Sequence, residues 1–275
     1  MCIILLLILV LIIFYILEIK TINYFSILEK FKIKKFDINH FDIVNNYNKI
    51  PQIIIQTWKD ENIPIKYKSD IESVIKFNPN YQYIFFTDNQ IDLFLKSIYP
   101  EYWKTYQKLP IKIQRIDFFR YIAIYHYGGF YLDLDIECYE NLDSLLQYSC
   151  VFPLEQYIDN CSPEEIRLRY FCDNNNLFLL GQYAFGAESK NGFIKYLIDN
   201  IHLNIDKYLE EYNKKIDDND TYMNVYVYQT TGPDFCTRLY MGYPDRSQIK
   251  ILVASDKKCN QFGNYAEHKT YGTWK

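Results

Sequence analysis

The chain has 275 residues, 49% of them hydrophobic, and a formal charge of −4. That is enough apolar material for one globular domain of ordinary size with an appendage. Mild acidity without a basic patch argues against a nucleic-acid partner. Tyr (28) and Phe (19) are frequent, but they are spread along the chain and so mark no site.

Cys2 to Leu17 is almost wholly apolar and uncharged. At about 16 residues it is short beside the roughly 17–25 of a spanning helix. Extension through Ile19 reaches the limit for a thin bilayer. No basic stretch precedes it and no small-residue cleavage site follows. Residues 1–19 therefore read as an uncleaved single-pass membrane anchor rather than a signal peptide. Lys20, Lys30, Lys32, Lys34 and Lys35 all follow the anchor. By the positive-inside tendency that leaves the rest of the chain cytosolic. Residues 20–48 are polar and lysine-rich and read as a stem, with helix expected from Ile22 to Phe31. Residues 49–275 then form the domain.

Ile53 to Ile55 is a β-branched run, expected as a strand buried on both faces and leading to Trp58. Lys66 to Phe77 is expected as a helix and Tyr81 to Phe86 as an aromatic strand. Asp88 is the expected cap of a helix running through Ile98. Pro110 to Tyr127 reads as a longer helix, with Pro in its first turn and Gly128-Gly129 closing it. Asp117 and Arg120 are three apart and meet on one helix face. A short apolar run follows and ends in Asp133-Leu134-Asp135.

If that run is a strand, Asp133 and Asp135 leave it on one side and Leu132 and Leu134 on the other. Two carboxylates so close repel unless a cation lies between them or one is protonated. Oxygen ligands suit hard ions such as Mg or Mn. A divalent-metal site at the end of a buried strand is one reading. An acidic strand terminus in solvent is the other. Alternating strands and helices predict an α/β domain, whose ligands lie beyond the carboxyl ends of the strands. Trp58, Asp133 and Asp135 all fall at such ends.

Further on, Val151 to Leu154 is a short strand candidate. Gln156 to Asn176 is polar and irregular, with Cys161 and Cys172. Gln182 to Ser189 feeds a strand. Phe193 to Tyr212 is an amphipathic helix with Ile194, Leu197, Ile198, Ile201, Ile205 and Leu209 on one face. In Thr230-Thr231-Gly232-Pro233-Asp234, Pro233 begins a helix whose free amides could instead face an anion. Ile249 to Val253 is a late strand. Six cysteines beyond Cys2 are open to pairing in an oxidising compartment or to staying reduced. None has zinc-site spacing.

The stretch from Arg115-Ile-Asp117-Phe-Phe-Arg120 through Gly128-Gly129-Phe-Tyr131-Leu-Asp133-Leu-Asp135 resembles the signature of glycosyltransferase family 32, the DXD-containing sugar transferases. That family includes fungal Golgi initiating mannosyltransferases and inositol-phosphoceramide mannosyltransferases, with the glucosylating bacterial toxins as remote relatives. The resemblance extends to both ends of the soluble chain. Ile53-Ile-Ile55-Gln-Thr-Trp58 is similar to the opening strand, with Ile55 in place of the family's His. The segment at Gln182 is similar to one that commonly starts with Asn. Thr-Gly-Pro recurs at 231–233, and the family's His, spacer and Trp recur as His268 and Trp274.

The resemblance implies a nucleotide-sugar-binding, Rossmann-like GT-A fold with a central mixed sheet, preceded here by the anchor helix. It implies Mn2+ (or Mg2+) held by Asp135, His268 and Asp133, with Asp133 also bonding the donor ribose. Arg120 and Asp117 would orient the donor sugar, so Asp133, Asp135 and Arg120 carry the catalytic roles. Trp58 would stack on the nucleotide base and Gln182 would bond a sugar hydroxyl. Trp274 would close over the diphosphate, with the short tail capping the site. Gly129 and Tyr131 belong to the same donor-binding stretch. The activity implied is metal-dependent, retaining transfer from a UDP- or GDP-sugar to a glycan, lipid or protein acceptor. Anchored members commonly face the Golgi lumen, against the cytosolic side suggested by the lysines, so the lumenal or cytosolic face stays open.

Two other classes share some of these features. A hydrophobic strand ending in Asp-x-Asp also resembles the nucleophile motif of haloacid-dehalogenase-type phosphatases. That motif lies in the first strand and continues with Thr or Val, where this chain has Glu137 and two earlier strands. A catalytically inactive, membrane-anchored sugar-binding protein is the third class. Intact Trp58, Asp133, Asp135, His268 and Trp274 weigh against it.

Overall fold

The computed structural model describes residues 21–33, 49–159, 161–162, 167–214, 220–256 and 258–272. The anchor at 1–19, most of the stem and Trp274 lie outside them. Among the described residues no helix is long and apolar enough to cross a membrane.

In chain order the elements begin with β1 (Thr21–Asn23), α1 (Tyr24–Lys30), β2 (Ile53–Trp58), β3 (Asn62–Pro64) and α2 (Lys68–Phe77). Next come β4 (Gln82–Thr87), α3 (Asp88–Ile98), α4 (Pro100–Lys108), α5 (Lys112–Tyr127), β5 (Gly129–Leu132) and β6 (Ile136–Cys138). After these follow β7 (Cys150–Tyr157), α6 (Arg169–Asp173), β8 (Phe178–Leu180), β9 (Ala184–Ala187) and α7 (Gly192–Lys214). The chain continues with α8 (Asp220–Thr230), α9 (Pro233–Gly242), β10 (Ile249–Leu252), β11 (Gln261–Phe262) and β12 (Ala266–His268).

The central sheet has seven strands, ordered β10-β7-β9-β5-β2-β4 with β8 beside β7. β2 runs parallel to both β4 and β5. β9 is antiparallel to β5 and to β7, so β7 runs the same way as β5. β10 is parallel to β7. This is the expected α/β fold with a mixed sheet. Its consequence is that β2, β4, β5 and β7 all deliver their carboxyl ends to one edge.

The β-branched run explains the two-sided burial. Ile53 and Ile55 pack with Phe118, Ile122 and Ile194 on the α5 and α7 side. Ile54, between them, packs with Ile27, Ile71 and Val74 on the α1 and α2 side. Alternation thus anchors two helical layers to one strand. Each such side chain contributes about 1.5–3 kcal/mol of burial.

Several local expectations shift. The helix after β4 is capped by Thr87, not Asp88. The Thr87 hydroxyl accepts the Gln90 N–H and the Gln90 side chain accepts the Thr87 N–H, a reciprocal pair that needs the hydroxyl one residue earlier. Pro110 precedes α5 rather than lying in its first turn. The stem contributes β1, paired with β3, and then α1. Helix α7 covers the predicted 193–212, and of its predicted face Leu209 alone is only half-buried. Cys161 and Cys172 form a disulfide, while Cys138, Cys150 and Cys236 are buried thiols.

Candidate active site

Asp133 and Asp135 do not lie on a strand. β5 ends at Leu132, and Asp133 to Asp135 form a tight turn into β6, closed by the Ile136 N–H donating to the Asp133 carbonyl at 3.3 Å. The Asp133 N–H is held by the Tyr183 carbonyl at 2.8 Å. The two carboxylates therefore share a side because the chain turns, not because side chains alternate. The place expected from the sequence, the carboxyl end of a buried strand, is the observed one.

A second, three-stranded sheet of β11, β12 and β6 completes the cluster. Its register sets His268 opposite Ile136, directly after Asp135. His268 Nε2 lies 3.3 Å from Asp135 Oδ1. The second Asp135 oxygen accepts the Tyr271 N–H at 2.9 Å. The His268 ring stacks on Tyr183, centroids 4.5 Å apart. Asp133, Asp135 and His268 each offer one ligand atom, and these lie within 4.8 Å of one another. Two carboxylates and an imidazole form a donor set suited to Mn or a similar divalent ion. His268 Nδ1 is buried with no partner among the described residues, and a bound imidazole ordinarily directs that nitrogen to an outer partner.

The carboxylates are pushed apart electrostatically. Burial raises Asp133, and Arg120 offsets this only in part. Burial acts on Asp135 too, but the hydrogen bond from His268 and its charge hold Asp135 below the usual carboxylate range. Burial alone would lower His268, yet the bond to Asp135 raises it.

Behind the turn, α5 presents a buried charge array. Arg120 Nη2 lies 3.3 Å from Asp117 Oδ1 and 3.5 Å from Asp133 Oδ1. Its Nη1 donates to the Gln182 carbonyl at 2.9 Å, and the guanidinium lies over the Tyr131 ring at 4.7 Å. Buried charges persist only when paired and hydrogen-bonded. Two carboxylates, a carbonyl and a ring face supply that pairing. Arg120 Nε has no partner among the described residues. The Thr-Gly-Pro stretch serves this array. Thr231 donates to Asp117 at 2.8 Å, and Thr230 accepts from Gln114 at 2.7 Å. Pro233 does begin a helix.

These groups line a cleft of about 640 Å³, a volume suited to a nucleotide-sized ligand. Trp58 stands on its wall at the end of β2, with Tyr67 beside it at 5.3 Å between ring centroids. Asp117, Arg120, Tyr131, Asp133, Asp135, Gln182 and His268 line it too. The Gln182 side-chain oxygen accepts the Tyr121 hydroxyl, so that half of its amide is already engaged. Gly129 is not among the lining residues. It stands at the opposite end of β5, where an added Cβ would meet the Ile53 carbonyl oxygen at 2.5 Å. Its part is to let β5 approach β2. Trp274 lies outside the described residues.

Sequence reasoning missed Tyr67, Tyr228 and Glu155 on the cleft wall. Glu155 was legible only as one residue beyond the expected strand. Its carboxyl is lifted to about 7, first by burial, with Arg167 opposing.

Residues 64–152 match the family model described as glycosyltransferase sugar-binding region containing DXD motif. Inositol phosphoceramide mannosyltransferase 3 of Schizosaccharomyces pombe is 40% identical over 117 residues, which are 42% of this chain and 33% of that protein. Initiation-specific alpha-1,6-mannosyltransferase of Candida albicans is 34% identical over 92 residues, 31% of this chain and 24% of that protein. The chain thus matches a third or less of the length of these relatives. A solved structure titled PaToxG Glycosyltransferase superposes with a TM-score of 0.47 at 16% identity, over 73% of each chain.

Proposed function

We propose that this chain is a metal-dependent glycosyltransferase that moves a sugar from a nucleotide-sugar donor to a hydroxyl-bearing acceptor. The observation that carries the reading is the Asp133, Asp135 and His268 cluster lining a cleft that Trp58 also lines. The match of residues 64–152 to a DXD sugar-binding region supports it independently.

Asp133, Asp135 and His268 would hold the ion, which when bound neutralises negative charge on a diphosphate. Trp58 and Tyr67 offer ring faces for the base. Arg120 pairs with Asp133 and presents a fixed positive charge beside the donor's reacting end, where charge develops. Asp117 and Thr231 hold that guanidinium in place. The retaining outcome belongs to this proposal, as does attachment to a membrane through residues 1–19. The names of the relatives make a mannose donor the first to try.

Asp133 is already paired to Arg120, which disfavours it as the free nucleophile that a phosphatase of the haloacid-dehalogenase type needs. The test is release of nucleoside diphosphate from a panel of UDP- and GDP-sugars with Mn, repeated with EDTA. Metal-dependent release from one donor establishes the class. Cleavage of phosphomonoesters instead, or no cleavage and no nucleotide binding, would overturn it.

A further inference from the structure

The sheet order makes the cleft directional. Trp58 ends β2, Asp133 follows β5, and Glu155 lies near the end of β7. β2 and β7 flank β5 on opposite sides, with β9 between β5 and β7. With strands spaced about 4.8 Å, Glu155 stands about 10 Å from β5 on the side away from Trp58. A donor whose base lies at Trp58 and whose diphosphate lies at Asp133 and Asp135 points its sugar toward β7.

Glu155 is aimed there by a defect in the ladder. Leu154 pairs with Leu180 and Gln156 with Leu179, so Glu155 is an extra residue on β7. Such bulges re-aim a side chain beside functional sites. The Glu155 backbone is pinned, its carbonyl accepting the Asn260 N–H at 3.1 Å, while the Asn260 carbonyl accepts the His268 N–H at 2.8 Å. Its side chain lines the cleft, and no hydrogen bond or ion pair to its carboxylate occurs among the described residues. Arg167, the nearby cation, is committed to Asp234 through two bonds of 2.8 and 2.5 Å and lies over Tyr228 at 4.5 Å. Tyr228 and Pro233 continue the same wall.

We propose that Glu155 holds the acceptor, its carboxylate accepting hydrogen bonds from hydroxyls of a polyol such as a pyranoside or cyclitol seated against Tyr228. Tyr228 lines the same wall, and at pH 8, where the assay below is run, Glu155 is ionised and strengthens each hydroxyl bond. This rests on the donor reading above, because the direction of the cleft follows from where the base and diphosphate lie.

The full chain is supplied at pH 8 with Mn and the donor that it cleaves. Methyl α-D-mannopyranoside, methyl β-D-glucopyranoside and myo-inositol serve as probes. Glycosylated probe and released nucleoside diphosphate are measured together for the parent, Glu155→Gln and Glu155→Ala. The expected result is transfer to at least one probe by the parent. Both variants should keep donor hydrolysis within about twofold, and their acceptor KM should rise at least about tenfold, the loss of a charge-assisted bond. Preserved hydrolysis shows that the variants are folded. An unchanged acceptor KM overturns the assignment, as does equal loss of donor hydrolysis or a parent that cleaves donor but glycosylates no probe. Absence of donor cleavage by the parent is a different failure, since it removes the transferase reading itself.

Discussion

His268 Nε2 lies 3.3 Å from Asp135 Oδ1 although half the chain separates them. The antiparallel pairing of β12 with β6 makes them neighbours. Asp135 is also bound through its other oxygen to the Tyr271 N–H. The metal-binding reading thus depends on a strand added near the end of the described chain. Asp135→Asn and His268→Ala should each lose Mn-dependent donor cleavage by at least about a hundredfold. Both should also lose the Mn-induced rise in Tm while keeping the far-UV spectrum of the parent. Retained Mn stabilisation in both variants would sink the metal assignment.

Trp58 lines the cleft, its ring 5.3 Å from that of Tyr67. If it stacks on the base, Trp58→Ala should weaken nucleoside diphosphate binding about tenfold or more, since stacking on one base is worth about 1–3 kcal/mol. Calorimetric titration with Mn present measures this. Equal affinity in parent and variant would place the base elsewhere.

Gly129 has φ +90°, and a Cβ there would come within 2.5 Å of the Ile53 carbonyl oxygen and 2.8 Å of the Ile53 Cβ. Neither backbone can yield without breaking the pairing of β2 and β5. Gly129→Ala is expected to cost at least about 2 kcal/mol in strain. Urea unfolding of parent and variant reads it directly. A loss below about 0.5 kcal/mol, the range of an ordinary surface change, would contradict the close approach.

Asp117 tests whether burial or pairing dominates inside the charge array. Its carboxyl is pushed up to about 6 from 3.8 by burial, with Arg120 and then Thr231 opposing. A folded value above the unfolded one means stability that is full below 3.8 and lost as pH rises through about 6. Asn copies the protonated form. Asp117→Asn should therefore match the parent near pH 4 and be about 2 to 3 kcal/mol more stable at pH 8. Urea titrations across that range decide the sign. A parent that gains on the variant as pH rises would show that attraction to Arg120 outweighs desolvation.

The α/β alternation was legible because periodicity is local. A β-branched run at 53–55 and a glycine pair at 128–129 carry their own geometry. The cap of α3 was misplaced by one residue because Thr87 and Asp88 are both competent caps and only the chain path chooses. The carboxylate pair was legible as residue type and position. The reason they face one way was not, since Asp133 to Asp135 form a turn where a strand was expected.

What local sequence determined by itself is the set of chemically able residues: Asp133, Asp135, Arg120, Asp117, Trp58 and His268. Spacing on one helix determined that Asp117 and Arg120 would meet. The tertiary structure alone decided that β12 returns His268 to Asp135, that Thr231 secures Asp117, and that a bulge on β7 turns Glu155 into the cleft. These are pairings between distant segments. Strand register and ladder defects are set by how whole faces pack, and no window of sequence contains that information.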